Sequence, residues 1–292
     1  MDLHQLKTWC SYPAEALETH PDRRVPFRLV QDRTTMGELM AREFVDLIKA
    51  QNAEDRPTRA IVPCGPNCWY EPWTRIINEE QVSLKNLFVF HMDECLDWQG
   101  NLLPDNHPFN FRNSMEKVFY GGIPSGLNVP EDQRFYPDGK NSDWILEHLH
   151  QAPIDLTLGG WGQDGHVAYN QARRHPYSTI SLDQLRNSSI RVQENNLDTI
   201  LALAHRTFGA AYQFVPPMSV TLGVRECFSA KKVRVFSDTG SWKQTALRVA
   251  LFSEPTTEYP FTLLQEHPDA LLTATLETAR HPIAENPEWD LF

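Results

Sequence analysis

The chain has 292 residues, 41% of them hydrophobic and 22% charged, which is long enough and apolar enough to bury a sizeable core and excludes a disordered protein. Its 38 acidic residues outnumber the 27 basic ones and give a formal charge of −11, which argues against general electrostatic binding to nucleic acid or to a membrane surface. An anionic substrate would therefore need locally placed cations. The sequence has no run of about 18 apolar residues and no signal-peptide pattern, so we expect a cytoplasmic protein.

Five cysteines are few for a chain of this length and odd in number, which argues against a disulfide framework, so we expect reduced thiols. Cys64 and Cys68 have the spacing of half a zinc site. No second Cys/His pair with matching spacing follows them, so the sequence predicts no metal.

Three prolines and little periodicity mark the first thirty residues, which indicates an N-terminal extension over residues 1–34. Apolar residues then recur at helical spacing over residues 35–50, which predicts an amphipathic helix. A single domain over residues 35–292 is expected to follow the extension, because no linker, repeat or low-complexity tract divides the chain.

Buried strands and polar loops alternate along the rest of the chain. The apolar runs predict strands, each ending in a polar loop, and helices are predicted after the first and the last of them. This order predicts a Rossmann-like α/β fold, with one doubly wound, mainly parallel sheet covered by helices on both faces. In such folds ligands bind at the carboxyl ends of the strands. The predicted strands are 59–63, 87–92, 154–158 and 233–237, and the helices are 71–78 and 242–252.

A glycine-rich loop follows the third of these strands. Four glycines between 159 and 165, Gly162 among them, let the backbone approach a ligand closely, and the loop then presents Asp164 and His166. A carboxylate beside an imidazole is a general acid–base pair. Turns also need glycines, and the Gly-x-Gly-x-x-Gly letters match the dinucleotide fingerprint, but here the pattern ends in His166 and does not open a helix.

Asp93 and Glu94 form an adjacent carboxylate pair at the end of the second strand. Neighbouring residues on an extended chain point in opposite directions, so we expect only one of them to face the crevice, as a general base. The alternative is a helix cap or a surface pair. For anion binding the candidates are Lys243, at the start of a predicted helix, and Arg206, although either could be a surface cation.

Together these segments resemble the glucosamine-6-phosphate deaminase (isomerase) family, which shares a fold with 6-phosphogluconolactonases. The resemblance extends from about residue 35 to the end of the chain. The segments that carry it are Val62-Pro63-Cys64-Gly65-Pro66-Asn67, Gln81-Val82-Ser83-Leu84-Lys85-Asn86, Phe90-His91-Met92-Asp93-Glu94, Gly162-Gln163-Asp164-Gly165-His166-Val167-Ala168-Tyr169-Asn170, Thr221-Leu222-Gly223-Val224 and Gly240-Ser241-Trp242-Lys243.

The resemblance implies an aldose–ketose isomerisation coupled to loss of ammonia. It assigns to Asp93 the proton transfer between C1 and C2 of the opened sugar, to His166 the ring opening and to Asp164 the support of that histidine. It also implies that Arg206 and Lys243 bind the phosphate. The remaining substrate-binding positions that it implies are Cys64, Gly65, Asn67 and Gly162.

Two departures from the family pattern affect this interpretation. Gln171 stands where the deaminases carry the glutamate that partners the catalytic histidine, and an amide cannot accept a proton or raise a histidine pKa by its charge. In the phosphate loop Pro66 and Asn67 replace the family's second glycine and the following threonine, so one backbone N–H donor is lost.

The first hypothesis is therefore a deaminase that converts glucosamine 6-phosphate, or a related amino-sugar phosphate, to fructose 6-phosphate and ammonia. The alternatives are a 6-phosphogluconolactonase-like hydrolase and a non-catalytic sugar-phosphate sensor. The lactonases usually continue the Asp-Gly-His loop with Thr-Ala-Ser, whereas this chain continues with Val167-Ala168-Tyr169-Asn170. The reaction needs no cofactor, because positioned acids and bases suffice for isomerisation. The expected partner is a small phosphosugar, and the family's precedent makes a homo-oligomer an option.

Overall fold

A parallel sheet forms the centre of the molecule. The computed structural model describes residues 1–172, Tyr177 and residues 179–292. Among them seven strands pair side by side, all in parallel, in the order β1-β10-β9-β6-β2-β3-β5. These strands are β1 (Phe27–Val30), β2 (Thr58–Val62), β3 (Leu87–His91), β5 (Arg134–Phe135), β6 (Leu156–Gly159), β9 (Lys232–Ser237) and β10 (Ala270–Thr275).

Helices cover both faces of this sheet, because its central strands are apolar on both sides. Along β2 the side chains of Ala60 and Val62 enter one hydrophobic cluster, and that of Ile61 enters another on the opposite face. The first cluster is closed by α2 and α3, and the second by α1, α5 and α9. The predicted doubly wound α/β fold is thereby confirmed. The helices are α1 (Leu3–Cys10), α2 (Arg33–Ala53), α3 (Tyr70–Glu80), α4 (Phe111–Met115), α5 (Ser142–His150), α6 (Leu182–Arg186), α7 (Leu197–Thr207), α8 (Val224–Cys227), α9 (Gln244–Phe252), α10 (Leu276–Ala279) and α11 (Pro282–Glu285).

A second, antiparallel sheet lies beyond the carboxyl end of β3. It consists of β4 (Asp93–Leu96), β8 (Met218–Thr221) and β7 (Arg191–Glu194), in the order β4-β8-β7. The sequence predicted a loop directly after β3. Instead the chain passes through Met92 and starts a new strand at Asp93, which pairs with Thr221.

The N-terminal segment contains regular structure that the sequence did not reveal. No helix or strand was predicted before residue 35, but α1 and β1 lie there, and β1 pairs with β10 as an edge strand of the main sheet. Four residues give too little periodicity to mark a strand, and the nearby prolines masked it. The division into an extension and a single domain stays a prediction. Within the described part of the chain, no helix is long and apolar enough to cross a bilayer.

Candidate active site

Three loops and the start of β4 meet at the carboxyl edge of the main sheet. The loops follow β9, β6 and β2, and β4 follows β3; the four strands of the main sheet that lead to them are neighbours. At Gly160, in the loop after β6, an added Cβ would lie 3.3 Å from the carbonyl oxygen of Gly65 and 3.4 Å from that of Phe236. The loop after β6 is therefore packed between the loop after β2 and the end of β9, and the predicted site residues lie at this edge.

The two adjacent carboxylates have separate tasks. The Glu94 side chain is buried and accepts hydrogen bonds from the backbone N–H groups of Phe111 (2.8 Å) and Arg112 (2.7 Å), in the first turn of α4, and from that of Cys95 (2.9 Å). Glu94 therefore caps a helix. The pKa of Glu94 is raised to about 7, because the effect of burial exceeds the lowering effect of these three hydrogen bonds.

Asp93 is the carboxylate of this pair that does not cap a helix. It is half-buried, and it makes no hydrogen bond with any residue that the structure describes. Burial and the negative charge of Glu94 together raise the pKa of Asp93 to about 7, against the lowering effect of the His166 charge. A carboxylate with this pKa is a base that can both take up and return a proton near neutral pH.

Asp164 and His166 form a tight pair in the loop after β6. The His166 Nδ1–H donates to Asp164 Oδ1 over 2.6 Å, so the neutral ring presents an unprotonated Nε2. Asp164 is only 2% exposed. Burial alone would raise its pKa, but the His166 charge and the hydrogen bonds from His166 outweigh burial, so the pKa of Asp164 is lowered. A carboxylate that stays ionised fixes the orientation and tautomer of the imidazole.

Glycine is required where the loop turns around this histidine. The Gly162 N–H donates to the His166 carbonyl oxygen (3.0 Å) and the Gly165 N–H donates to the Gly162 carbonyl oxygen (3.0 Å). Gly165 has a φ of +71°, and a Cβ added to Gly162 would overlap the His166 ring. On another side of the ring, Tyr169 stacks at 5.8 Å between centroids with an angle of 9° between the planes.

Arg206 and Lys243 come together beside the loop after β9, as the phosphate-site hypothesis requires. Arg206 lies in the last turn of α7, with its guanidinium 5.1 Å from the ring centre of Trp242, and the Lys243 Nζ lies 6.0 Å from that of Trp161. Burial and the nearby charge of Arg206 together lower the pKa of Lys243 to about 8, against the raising effect of the Asp238 charge. Among the described residues neither cation has a carboxylate within ion-pair distance, so both are available to an anion.

The loop after β2 holds the other predicted binding residues. The Cys64 carbonyl oxygen accepts from the Tyr70 hydroxyl (2.9 Å), and burial followed by the charges of Asp93 and Glu94 raises the pKa of the Cys64 thiol, so the thiol stays neutral. Gly65 has open space where a Cβ would point. Asn67 is exposed, and its Oδ1 accepts a hydrogen bond from Arg33.

Gln171 is buried, and its side-chain hydrogen bonds run away from the histidine. Its Oε1 accepts from the Asn196 N–H (2.8 Å), and its Nε2 donates to the Glu194 carbonyl oxygen over 3.4 Å. The Gln171 amide therefore connects the segment after β6 to the segment between β7 and α7 by hydrogen bonds. It also lines a cavity of about 630 Å³ whose wall is formed by β7 and the start of α7, and that wall includes neither Asp93 nor His166.

Sequence reasoning missed two residues of this edge. Arg33 is ion-paired to Asp238, with 3.3 Å between Nη1 and Oδ2, and the Asp238 side chain is completely buried. The position of Asp238 in the loop after a buried strand was a signal for the carboxylate. No pattern linked it to Arg33, on a distant part of the chain.

Comparison with known proteins agrees with this geometry. No family model matches the chain. A glucosamine-6-phosphate deaminase from Aliivibrio fischeri is 28% identical over 243 residues, 81% of this chain and 85% of the relative. One from Parabacteroides distasonis is 29% identical over 231 residues, 77% of this chain and 79% of the relative.

Solved structures extend the comparison to the fold. A monomeric glucosamine-6-phosphate deaminase superposes with a TM-score of 0.73 at 21% identity, covering 87% of this chain and 98% of the other. A 6-phosphogluconolactonase from Trypanosoma cruzi superposes with a TM-score of 0.63 at 17% identity, covering 87% and 95%. At these identities the superpositions establish the fold.

The parallel sheet and its acid–base edge thus define the class: the chain has the fold that glucosamine-6-phosphate deaminases share with 6-phosphogluconolactonases. The curated sequence relatives described above are glucosamine-6-phosphate deaminases. The predicted resemblance to that family is confirmed, and the protein is an enzyme.

Proposed function

We propose that this enzyme converts glucosamine 6-phosphate and water to fructose 6-phosphate and ammonia. The observation that carries the proposal is Asp93: a half-buried carboxylate with no hydrogen-bond partner among the described residues and with a pKa raised to about 7, at the same sheet edge as the Asp164–His166 pair. The deaminases among the relatives, which match over about four fifths of the chain, support the choice of substrate.

The proposed chemistry begins with the closed sugar ring. His166, held by Asp164 through Nδ1, uses Nε2 to move a proton from the C1 hydroxyl to the ring oxygen as the bond between C1 and that oxygen breaks. The open-chain product has an aldehyde at C1 and an amine at C2.

Asp93 then acts at C1 and C2. Its carboxylate removes the C2 proton, and the electron pair of the C–H bond forms a C1–C2 double bond while the aldehyde oxygen takes up a proton from water. Asp93 returns its proton to C1, and the nitrogen at C2 releases a proton to water, which leaves an imine at C2. Water adds to the imine carbon and ammonia leaves, so the ketone of fructose 6-phosphate is formed. A base with a pKa near 7 suits this shuttle, because it gives the proton back as readily as it takes it.

Arg206 and Lys243 are proposed to hold the phosphate. Neither has a carboxylate ion-pair partner in the described part of the chain, and each lies against a tryptophan ring that fixes its direction. The loop of Cys64, Gly65 and Asn67 lies at the same edge and is proposed to close the phosphate site from the side of β2.

Gln171 is proposed to be a positioning residue and not part of the proton relay. Its amide bonds to Glu194 and Asn196 occupy the side chain, so Asp164 is the one carboxylate that is hydrogen-bonded to His166 among the residues described. In this proposal ring opening depends on the Asp164–His166 pair alone.

The direct test is to incubate the protein with glucosamine 6-phosphate and to follow ammonia and fructose 6-phosphate. We expect both products in equal amounts. Asp93→Asn should lower kcat by about 10³-fold, within the range for loss of a general base, while substrate still binds. Asp46→Asn, an exposed aspartate on α2, is the matched control and should behave as the wild type.

Two outcomes would contradict the proposal. Activity confined to 6-phosphogluconolactone would assign the protein to the lactonases of the superfamily. Binding of glucosamine 6-phosphate without any turnover would indicate a sensor.

A cytoplasmic location is part of the same proposal. It is supported by five free cysteines and an acidic composition, and localisation of a tagged full-length chain by fluorescence would test it. The oligomeric state is open to direct measurement by light scattering, and a homo-oligomer is one option.

A further inference from the structure

We propose that Arg33 is a third phosphate-binding cation of this site and that Asp238 is the buried carboxylate that positions it. This inference rests on the proposed phosphosugar function and extends it to two residues for which the sequence suggested no role.

The start of α2 is fixed against the loop after β2. Arg33 is the first residue of this helix, directly after Asp32, whose side chain accepts the Thr35 N–H (2.8 Å) as the helix cap. One turn further on, a Cβ added to Gly37 would overlap the carbonyl oxygen of Cys68. α2 therefore contacts the backbone of the loop after β2, and Arg33 lies next to that loop.

Arg33 links the two loops that carry the predicted phosphate ligands. Its Nη2 donates to Asn67 Oδ1 in the loop after β2, and its Nη1 lies 3.3 Å from Asp238 Oδ2 in the loop after β9. A guanidinium has five N–H donors, so these two contacts leave donors free for an anion. The Arg33 side chain is also 54% exposed, which leaves room for a ligand to reach it.

Asp238 explains why the arginine is held there. Its side chain is fully buried at the end of β9, and an ionised carboxylate in such a place requires nearby cations. Arg33 supplies one by direct contact. The charge of Asp238 also raises the pKa values of Arg206 and Lys243 against the lowering effect of burial, so this one carboxylate favours the charged form of both.

The balance of charge fits a phosphate group. Arg33, Arg206 and protonated Lys243, together with Asp238, leave a formal charge of two positive units, which matches a phosphomonoester dianion. The planar fork of Arg33 adds a bidentate donor on the side where Pro66 has no N–H to give.

The test compares binding of fructose 6-phosphate, of inorganic phosphate and of fructose by calorimetry, using the full-length chain. Arg33→Gln should weaken binding of the two phosphate-containing probes by about tenfold. Arg33→Lys, which keeps the charge without the fork, should recover part of the affinity. The matched control is Arg42→Gln, an exposed, ion-paired arginine on the same helix, which should bind as the wild type does.

Asp238→Asn tests the positioning role through the pH profile. Removing this charge lowers the pKa of Lys243, so phosphate binding in the variant should weaken at a lower pH than in the wild type. If Asp238 has a purely structural role, Asp238→Asn should lower the free energy of unfolding but leave unchanged the pH at which phosphate binding weakens.

The outcomes separate this inference from the proposed function. If Arg33→Gln binds fructose 6-phosphate as tightly as the wild type, or if Arg42→Gln weakens binding equally, the inference is wrong and the proposed reaction is unaffected. If the wild type binds fructose 6-phosphate but releases no ammonia from glucosamine 6-phosphate, the proposed reaction fails and the phosphate site stands. Absence of binding by the wild type to both phosphate-containing probes would overturn the inference.

Discussion

Gly162 lies directly against the imidazole ring of His166, so close that a methyl group at position 162 would overlap the ring. Gly162→Ala should therefore displace His166 from Asp164 and lower kcat about 100-fold, in the range for loss of a positioned acid–base group. Measurement of kcat and of thermal unfolding will show whether the loss comes from the site and not from the fold. Gly126→Ala is the matched control, since a Cβ there meets nothing within 4 Å; an equal loss in that variant would contradict the steric explanation.

The pH dependence of kcat/KM should have its maximum between about pH 7 and pH 8. Asp93 acts as a base only when ionised, and its pKa is raised to about 7, so activity should rise as the pH increases through that value. Lys243 binds phosphate only when protonated, and its pKa is lowered to about 8, so activity should fall at higher pH. Initial rates measured from pH 5 to 10 check both limbs. A rising limb centred near pH 4, as for an ordinary aspartate, would argue against Asp93 as the base.

Gln171→Glu should not increase activity. The carboxylate would still accept a hydrogen bond from the Asn196 N–H. It would have no N–H to donate to the Glu194 carbonyl oxygen, and its negative charge would repel that oxygen. We expect the free energy of unfolding to fall by about 1–3 kcal/mol, the usual effect of a broken buried hydrogen bond. Urea unfolding and ammonia release measure the two effects, with Gln151→Glu on the exposed end of α5 as the control. A kcat above that of the wild type would show that position 171 takes part in the relay.

His281 should make the fold sensitive to acid. The buried ring accepts the Ile283 N–H at Nδ1 (3.2 Å) as the cap of α11, and burial followed by the charge of Arg248 lowers its pKa to about 4. Because the unfolded histidine titrates near 6.5, the unfolded state binds more protons between these values, and stability is lost as the pH falls below about 6.5.

For His281 we expect the free energy of unfolding to fall by about 2 kcal/mol between pH 7 and pH 5, which urea unfolding at both pH values will measure. His281→Asn keeps a capping oxygen but cannot titrate, so its stability should change less between the two values. His150→Asn, at the exposed end of α5, should show the full change. An unchanged pH dependence in His281→Asn would rule out this histidine as the cause.

The sequence predicted the central strands well because each is a continuous apolar run followed by a polar loop. β2, β3, β6 and β9 all start and end within two residues of the predicted limits. β1 and the strands of the small antiparallel sheet are four residues long, too short to show a period, and β10 was not predicted at all. Their pairing is decided by contacts between distant parts of the chain.

The site shows the same limit of sequence reasoning. Glycines, Asp164 and His166 are adjacent in the chain, so their arrangement was predictable from a single loop. Whether Asp93 or Glu94 faces the crevice depends on the free N–H groups of α4, and no local pattern contains that information. The pairing of Arg33 with Asp238 is likewise a tertiary fact.

The pairing of β1 with β10 has a consequence for synthesis of the protein on the ribosome. Phe27 emerges long before Leu272, so β1 has no strand partner in the main sheet until β10 has been made. Until then the nascent chain keeps an unpaired strand exposed, a situation in which strands are prone to aggregate. The carboxyl edge of the sheet is also completed late, because β9, which is followed by the loop of Asp238 and Lys243, is made after β2, β3 and β6.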